Sequence, residues 1–267
     1  MPLCLTYPEG AALVAGGTGR VGEGTVRRLV EAGVSVVFTY NRSADRARAL
    51  EVELRAAGHD VHAVPMALTD GASIDAAIAR AVEVGGGRMH TVISAGGPLM
   101  PFAKMADVDE AALEQFIAED AMGAFRLFSR CVAAMRRSGG GSLTACTTIA
   151  NFRVVDYDGV SPFSKGTVEA LVRQIAAEEA DVGIRCNAVP VSWVFEATAE
   201  EQIAQMEGLP EPGRSHVIAL IRQLDAQTRL RRPATMLEAG NLFAFLASDQ
   251  ASYITGQSIR LDGGFSL

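Results

Sequence analysis

Cysteine is scarce in this chain. Only Cys4, Cys131, Cys146 and Cys186 occur in 267 residues, and they show neither CxxC nor Cys/His spacing. A zinc centre and a disulfide framework are therefore both excluded as organising features, no metal is expected, and the thiols read as reduced. An excess of positive charge is missing too. Lys and Arg number 24 against 31 Asp and Glu, for a net charge of −7. A nucleic-acid partner, which would require a concentrated basic face, is not expected. Long apolar runs are also absent, none reaching the roughly 18 residues of a membrane span. Met1–Gly10 lacks the basic-then-apolar order of a secretory leader. A cytoplasmic protein without a membrane partner is the expectation, and the chain shows no internal repeat or low-complexity linker.

What is present is 49% hydrophobic residues, enough for one large core. The whole span 1–267 is expected to form a single domain. Runs rich in β-branched residues alternate with longer segments of helical period, the pattern of repeated βαβ units around a parallel sheet. Strands are expected near 11–16, 34–40, 60–65, 91–95, 142–147, 184–190 and 258–262. Helices are expected over Val21–Ala32, Ala44–Ala57, Ile74–Val84, Ala111–Arg137, Thr167–Asp181 and Met236–Ala247. The implied architecture is an α/β doubly wound parallel sheet of Rossmann type, with about seven strands and helices on both faces. A connection of roughly 40 residues from Trp193 to Arg232 is longer than most loops of compact domains. It contains Pro210, Pro212 and a helix-like stretch His216–Gln227, and reads either as a substrate lid or as an ordinary packing excursion.

The first strand runs into Gly16-Gly17-Thr18-Gly19-Arg20-Val21-Gly22 and then an apolar helix. At such a junction Gly16 makes the tight turn, Gly19 admits a pyrophosphate close to the backbone, and Gly22 lets helix pack on strand. Thr18, Arg20 and Val21 complete the loop, and the helix amides face the phosphates. The second strand ends Tyr40-Asn41-Arg42-Ser43, where an acidic residue would normally bind the adenosine ribose of NAD. With Asn41 and Arg42 there instead, a 2′-phosphate gripped by Arg42, and by Arg20 from the turn, is expected, making the cofactor NADP(H).

These residues, with Leu230-Arg231-Arg232-Pro233, Phe243–Asp249, Tyr253-Ile254-Thr255-Gly256-Gln257 and Leu261–Phe265, make the chain resemble a short-chain dehydrogenase/reductase over nearly its whole length, and its ending resembles the 3-oxoacyl-carrier-protein reductase branch. The resemblance implies a homodimer or homotetramer. It also places Ala95 and Gly96 beside the cofactor, in an Ile93-Ser94-Ala95-Gly96 stretch that lacks the family's asparagines. Pro190 falls next to Val191-Ser192, which stand where the family has Pro-Gly, and Ala67 stands where an aspartate commonly meets adenine.

Thirteen residues separate Thr148 from Ser161, and four more reach Lys165, the spacing at which the family carries serine, tyrosine and lysine. By resemblance, Thr148 positions a substrate carbonyl and Lys165 holds the nicotinamide ribose. Asp120 stands where an asparagine supports a water relay to the lysine. Ser161 occupies the tyrosine position, and an aliphatic hydroxyl is a far weaker acid than a phenol. Because Pro162 follows, Ser161 also reads as the N-cap of a helix. Three substitutes for the phenol stand open: Tyr157, eight residues before Lys165 and roughly 12 Å away along a continuous helix; Asp120; and a water molecule. The expected function is an atypical NADP(H)-dependent oxidoreductase reducing a carbonyl or conjugated alkene of a small molecule. The alternative is a nucleotide-binding relative with little redox activity, either a partner subunit of an active paralogue or a non-redox lyase or isomerase.

Overall fold

The computed structural model describes residues 4–267. Among these residues six strands form one sheet: β1 (Ala11–Ala15), β2 (Ser35–Tyr40), β3 (Val61–Pro65), β4 (Met89–Ser94), β5 (Gly141–Thr148) and β6 (Ile184–Val191). Their order is β3-β2-β1-β4-β5-β6, all parallel, so the chain reverses direction of sheet growth between β1 and β4. A crevice at the carboxyl ends of the strands follows from that reversal.

Helices α1 (Arg20–Glu31), α2 (Ala44–Ala56), α3 (Gly71–Val84), α4 (Glu110–Glu119), α5 (Ala121–Met135), α6 (Val160–Glu178), α7 (Ala199–Ala204), α8 (Gly213–Gln227) and α9 (Met236–Ala247) complete the fold. The sheet is buried on both faces, because period-two alternation sends neighbouring residues of each strand to opposite sides. Leu13, Val92 and Leu143 pack with Phe128 and Val172 on one side. Val14, Phe38 and Ile93 pack with Leu29 and Phe243 on the other. The last helix is started by a capping box in which Thr235 and Glu238 satisfy each other's backbone amides.

Three expectations are corrected. The seventh strand, 258–262, is not a strand of the sheet, which has six. That segment runs parallel beside β6 through isolated bridges at Ala188–Ser258 and Val191–Leu261. Backbone bonds run from Ala188 N to Gln257 O (2.8 Å), Ile259 N to Ala188 O (2.9 Å) and Leu261 N to Pro190 O (2.9 Å), but the ladder is interrupted between the two bridges because Pro190 has no N–H to donate. The single helix 111–137 is two helices, broken at Asp120 (φ −90°, ψ −73°), whose side chain is engaged by α6. The helix expected from Thr167 begins earlier, at Val160, with Gly159 as its N-cap. Ser161 is therefore a residue of the first turn and not the cap.

The 193–232 connection holds α7 and α8 and carries a small core of its own, where Trp193, Ile221 and Leu224 pack on Ile149, Val155 and Phe265. Trp193 Nε1 donates to Gln202 Oε1 at 3.0 Å, which fixes the start of the connection to α7.

Candidate active site

The glycine turn between β1 and α1 is shaped by two close approaches. Gly16 has φ 78°, and a Cβ there would lie 2.4 Å from Gly96 Cα. At Gly22 a Cβ would lie 2.1 Å from the Gly16 carbonyl oxygen. Only glycine permits either contact. The turn is held to β2 by the Gly17 amide donating to Thr39 O at 2.9 Å. Gly19 is the N-cap of α1 and provides no side-chain cap, so the first-turn amides of Arg20, Val21 and Gly22 remain available to an anion. Thr18 and Val21 are partly exposed beside them, and Gly19 and Arg20 are exposed. A backbone cradle that any Cβ would obstruct, opening on uncapped amides, fits the pyrophosphate of a dinucleotide.

Next to the cradle lies a cavity of about 170 Å³ lined by Gly16, Thr39, Asn41, Arg42, Gly96 and Glu119, among others. Asn41 and Arg42 thus stand at the carboxyl end of β2, where an adenosine would sit. Arg20 is placed differently: its guanidinium lies over the Phe195 ring, 3.6 Å from the centroid, and so joins the glycine turn to the 193–232 connection. Burial holds the Arg20 pKa below its usual value, Arg46 acts in the same direction, and Glu196 opposes them.

Deeper in the crevice, the Lys165 ammonium donates to Asp120 Oδ1 at 2.5 Å, and Ser164 Oγ donates to Asp120 Oδ2 at 2.7 Å. The Asp120 side chain is nearly inaccessible, at 2% exposure, and that of Lys165 is at 16%. Gly97 is the backbone beside them; a Cβ there would meet Asp120 Oδ1 at 3.6 Å and Lys165 Nζ at 3.9 Å. The Gly96-Gly97 exit from β4 therefore joins the cradle at Gly16 to the lysine. Ala95 precedes it, its amide donating to Ala15 O at 2.9 Å. Thr148 ends β5 and pairs in register with Val191, and Thr147 pairs with Pro190. Its hydroxyl accepts from Ala150 N at 3.2 Å. Ser192 Oγ, just beyond β6, is buried without a partner.

Ser161 and Lys165 lie on one face of α6, one turn apart. Tyr157 packs against α8. It has left-handed backbone (φ 63°), and its ring stacks on that of His216 in α8, with centroids 4.1 Å apart and planes at 11°. The His216 Nδ1–H donates to Phe102 O at 2.8 Å, so this stack links α8, the turn before α6 and the segment after β4.

Asp158, a residue the motif spacing does not single out, sits between Tyr157 and the helix. It is 9% exposed, and its Oδ1 is buried with no partner. Burial pushes its carboxyl up to about 7, while the Ser161 hydroxyl and amide pull the other way. An aspartate shortly before a helix ordinarily reads as a cap, which hides such a group in the sequence.

The switch-point crevice, the glycine cradle and a lysine fixed at its inner end define a nicotinamide dinucleotide-binding protein. Residues 16–266 match the family described as enoyl-(acyl carrier protein) reductase. The chain belongs to this family of short-chain dehydrogenase/reductases. It is 29% identical over 257 residues to "Oxidoreductase UcpA" of Salmonella typhimurium, covering 96% of this chain and 94% of the relative. To the cis-4-hydroxycyclohexanecarboxylate dehydrogenase of Sinomonas cyclohexanicum it is 31% identical over 264 residues, covering 97% and 98%. Among solved structures, a short-chain type dehydrogenase/reductase from Mycobacterium ulcerans superposes with a TM-score of 0.85 at 25% identity, covering 98% of this chain and 91% of that one. These relatives support a small-molecule oxidoreductase. No helix among the described residues is long and apolar enough to cross a membrane.

Proposed function

We propose that this chain is an NADP(H)-dependent reductase of a small molecule bearing a carbonyl or conjugated alkene, working without a tyrosine at its proton-donating position. The observation that carries the reading is the Lys165–Asp120 pair beside Gly97, at the inner end of the glycine cradle. A nearly buried ammonium is costly to keep unless it is paired. Here the carboxylate holds it at the place where a nicotinamide ribose would lie.

The residues divide the work. Gly16, Gly19 and the first-turn amides of α1 would hold the pyrophosphate, and Arg42 with Asn41 the 2′-phosphate. Ala95, Gly96 and Pro190 would flank the nicotinamide end, and Thr148 would orient the substrate oxygen. When bound, the cofactor supplies a hydride. The 193–232 connection, tied to the glycine turn through Arg20 and Phe195 and to the turn before α6 through His216 and Tyr157, is read as the substrate lid. Assembly into a homodimer or homotetramer accompanies this reading.

The test is NADPH and NADH binding by cofactor fluorescence, followed by NADPH oxidation over cyclic ketones, quinones and enones, for the wild type and for Ser161→Tyr. The cyclic ketones enter because the Sinomonas relative is named for an alicyclic alcohol. Preference for NADPH with turnover by the wild type is expected. Tight binding with turnover only in the tyrosine variant would instead support a nucleotide-binding protein of little redox activity. That second reading draws on the commitment of Tyr157 to His216.

A further inference from the structure

We propose that Asp158, acting through the Ser161 hydroxyl, supplies the proton that the reduced substrate oxygen takes up, so that two residues at the start of α6 replace one phenol. This assignment rests on the reductase reading above.

Position is the first argument. Asp158 lies three residues before Ser161 in the turn that leads into α6, its Oδ1 is buried with no partner, and the Ser161 hydroxyl and amide are the polar groups that act on its carboxyl. Ser161 in turn shares a face of α6 with Lys165. The second argument is rigidity. The backbone at Asp158 is bridged to Ala103, and the preceding carbonyl, that of Tyr157, accepts from Ala103 N at 3.1 Å. Gly159 abuts Met105, so the segment after β4 walls in the turn.

The third argument is the charge balance. Among the described residues, no Lys, Arg or His lies within ion-pair distance of the Asp158 carboxyl, unlike that of Asp120. A buried and unpaired carboxylate is costly, so the protonated acid is favoured. The titratable groups on the surrounding elements are Asp156 and Tyr157 on its own turn, Lys104 and Asp107 on the bridged segment, Lys165 on α6 and His216 on α8. Burial and Ser161 alone set the shift to about 7. An acid of that strength is matched to proton transfer near neutral pH.

The step balances without a further reactant. A bound dihydronicotinamide would supply the hydride to the carbonyl carbon, and the C=O π pair would move onto oxygen. The Ser161 O–H bond breaks as the new substrate O–H bond forms. The Asp158 O–H bond breaks as Ser161 regains its proton, and the resulting carboxylate is reprotonated from water. Asp158 is thus a positioning and proton-storing residue behind Ser161, which meets the substrate.

The first measurement needs no turnover. Carbon-13 carboxyl NMR of aspartate-labelled protein, assigned with Asp158→Asn, is expected to show the Asp158 resonance titrating near 7, and higher still in Ser161→Ala, which removes a bond to the charged form. The second is NADPH oxidation with phenanthrenequinone as a function of pH. Wild-type turnover is expected to be high below that midpoint and to fall above it. Asp158→Asn, which keeps the size of the side chain and removes the acid, should lose roughly 10²–10⁴-fold in kcat. It should also lose this pH dependence and retain NADPH affinity, and Asp158→Glu should recover part of the rate. A midpoint in the ordinary carboxylate range, or an Asp158→Asn enzyme with the wild-type rate and pH profile, would overturn the assignment and leave the reductase reading standing. A wild type that binds NADPH but oxidises it with no compound of the panel would bring down both.

Discussion

Lys165 and Asp120 meet at 2.5 Å across two elements, the ammonium from α6 and the carboxylate from the break between α4 and α5. The second Asp120 oxygen is used by Ser164, so both oxygens are bound by the helix that carries the lysine.

Removing that carboxylate should be felt in stability first. Asp120→Ala leaves a nearly buried ammonium unpaired, which costs roughly 3–5 kcal/mol when such a pair is broken on one side. Asp120→Asn keeps an acceptor and the hydrogen bond from Ser164, so a smaller loss is expected. Urea unfolding of the three proteins gives the order wild type, Asn, Ala. An Ala variant as stable as wild type would mean that water reaches Lys165 freely. Weaker NADPH binding should accompany the loss, because the ammonium is no longer held beside Gly97.

Arg42 decides the choice of dinucleotide in this reading, since it lines the cavity beside the glycine turn while Arg20 is engaged with Phe195. Hydrogen bonds to a charged group contribute roughly 1.5–3 kcal/mol. Arg42→Ala should therefore raise the Kd for NADPH by about tenfold to a hundredfold and leave that for NADH nearly unchanged. Arg42→Asp should reverse the preference. Titration of cofactor fluorescence measures both, and equal affinities in the wild type would remove the role assigned to Arg42.

Gly22→Ala tests the cradle itself. Its Cβ would be placed 2.1 Å from the Gly16 carbonyl oxygen, and that backbone cannot yield without moving the turn away from Gly96. Overpacking of this kind costs about 1–3 kcal/mol. The expected result is a lowered Tm together with loss of NADPH binding.

The fold was legible wherever the signal was local. Apolar runs mark the strands that the sheet uses, and the Gly16–Gly22 series marks its nucleotide turn, because sterics at a glycine depend on near neighbours. Longer-range competition was less legible. The helix over 111–137 has an unbroken periodicity, and the residue at its break, Asp120, is bound by Ser164 and Lys165, more than forty residues away. The 258–262 run has strand character and bonds to β6, yet Pro190 in β6 has no N–H to continue the ladder between its two bridges. At the candidate site, spacing draws attention to Lys165, which the structure pairs with Asp120. It cannot reveal that Tyr157 stacks on His216, or that Asp158 is buried without a cation, because both facts belong to the packing of α8 and of the segment after β4.

Two buried groups should give the stability of this protein opposing dependences on pH. His90, 1% exposed and with Nε2 unpartnered, has its pKa lowered by burial from 6.5 to about 4, with Arg88 adding to the effect. Between those values the unfolded chain binds more protons at His90, so stability rises with pH and the contribution is fully present above 6.5. Asp158 is raised by burial from 3.8 to about 7. Between those values the folded chain binds more protons, so stability falls as pH rises and the penalty is complete above 7. The two slopes offset each other over most of the same window. Asp158→Asn should expose the His90 slope and make the protein more stable than wild type at about pH 8, by at most about 4 kcal/mol, with no such gain at about pH 3. His90→Gln should expose the opposite slope, with stability falling from about pH 4 to about pH 7. Urea unfolding midpoints across this range read both variants. An Asp158→Asn protein no more stable than wild type at about pH 8 would show that the carboxylate is solvated in the folded state.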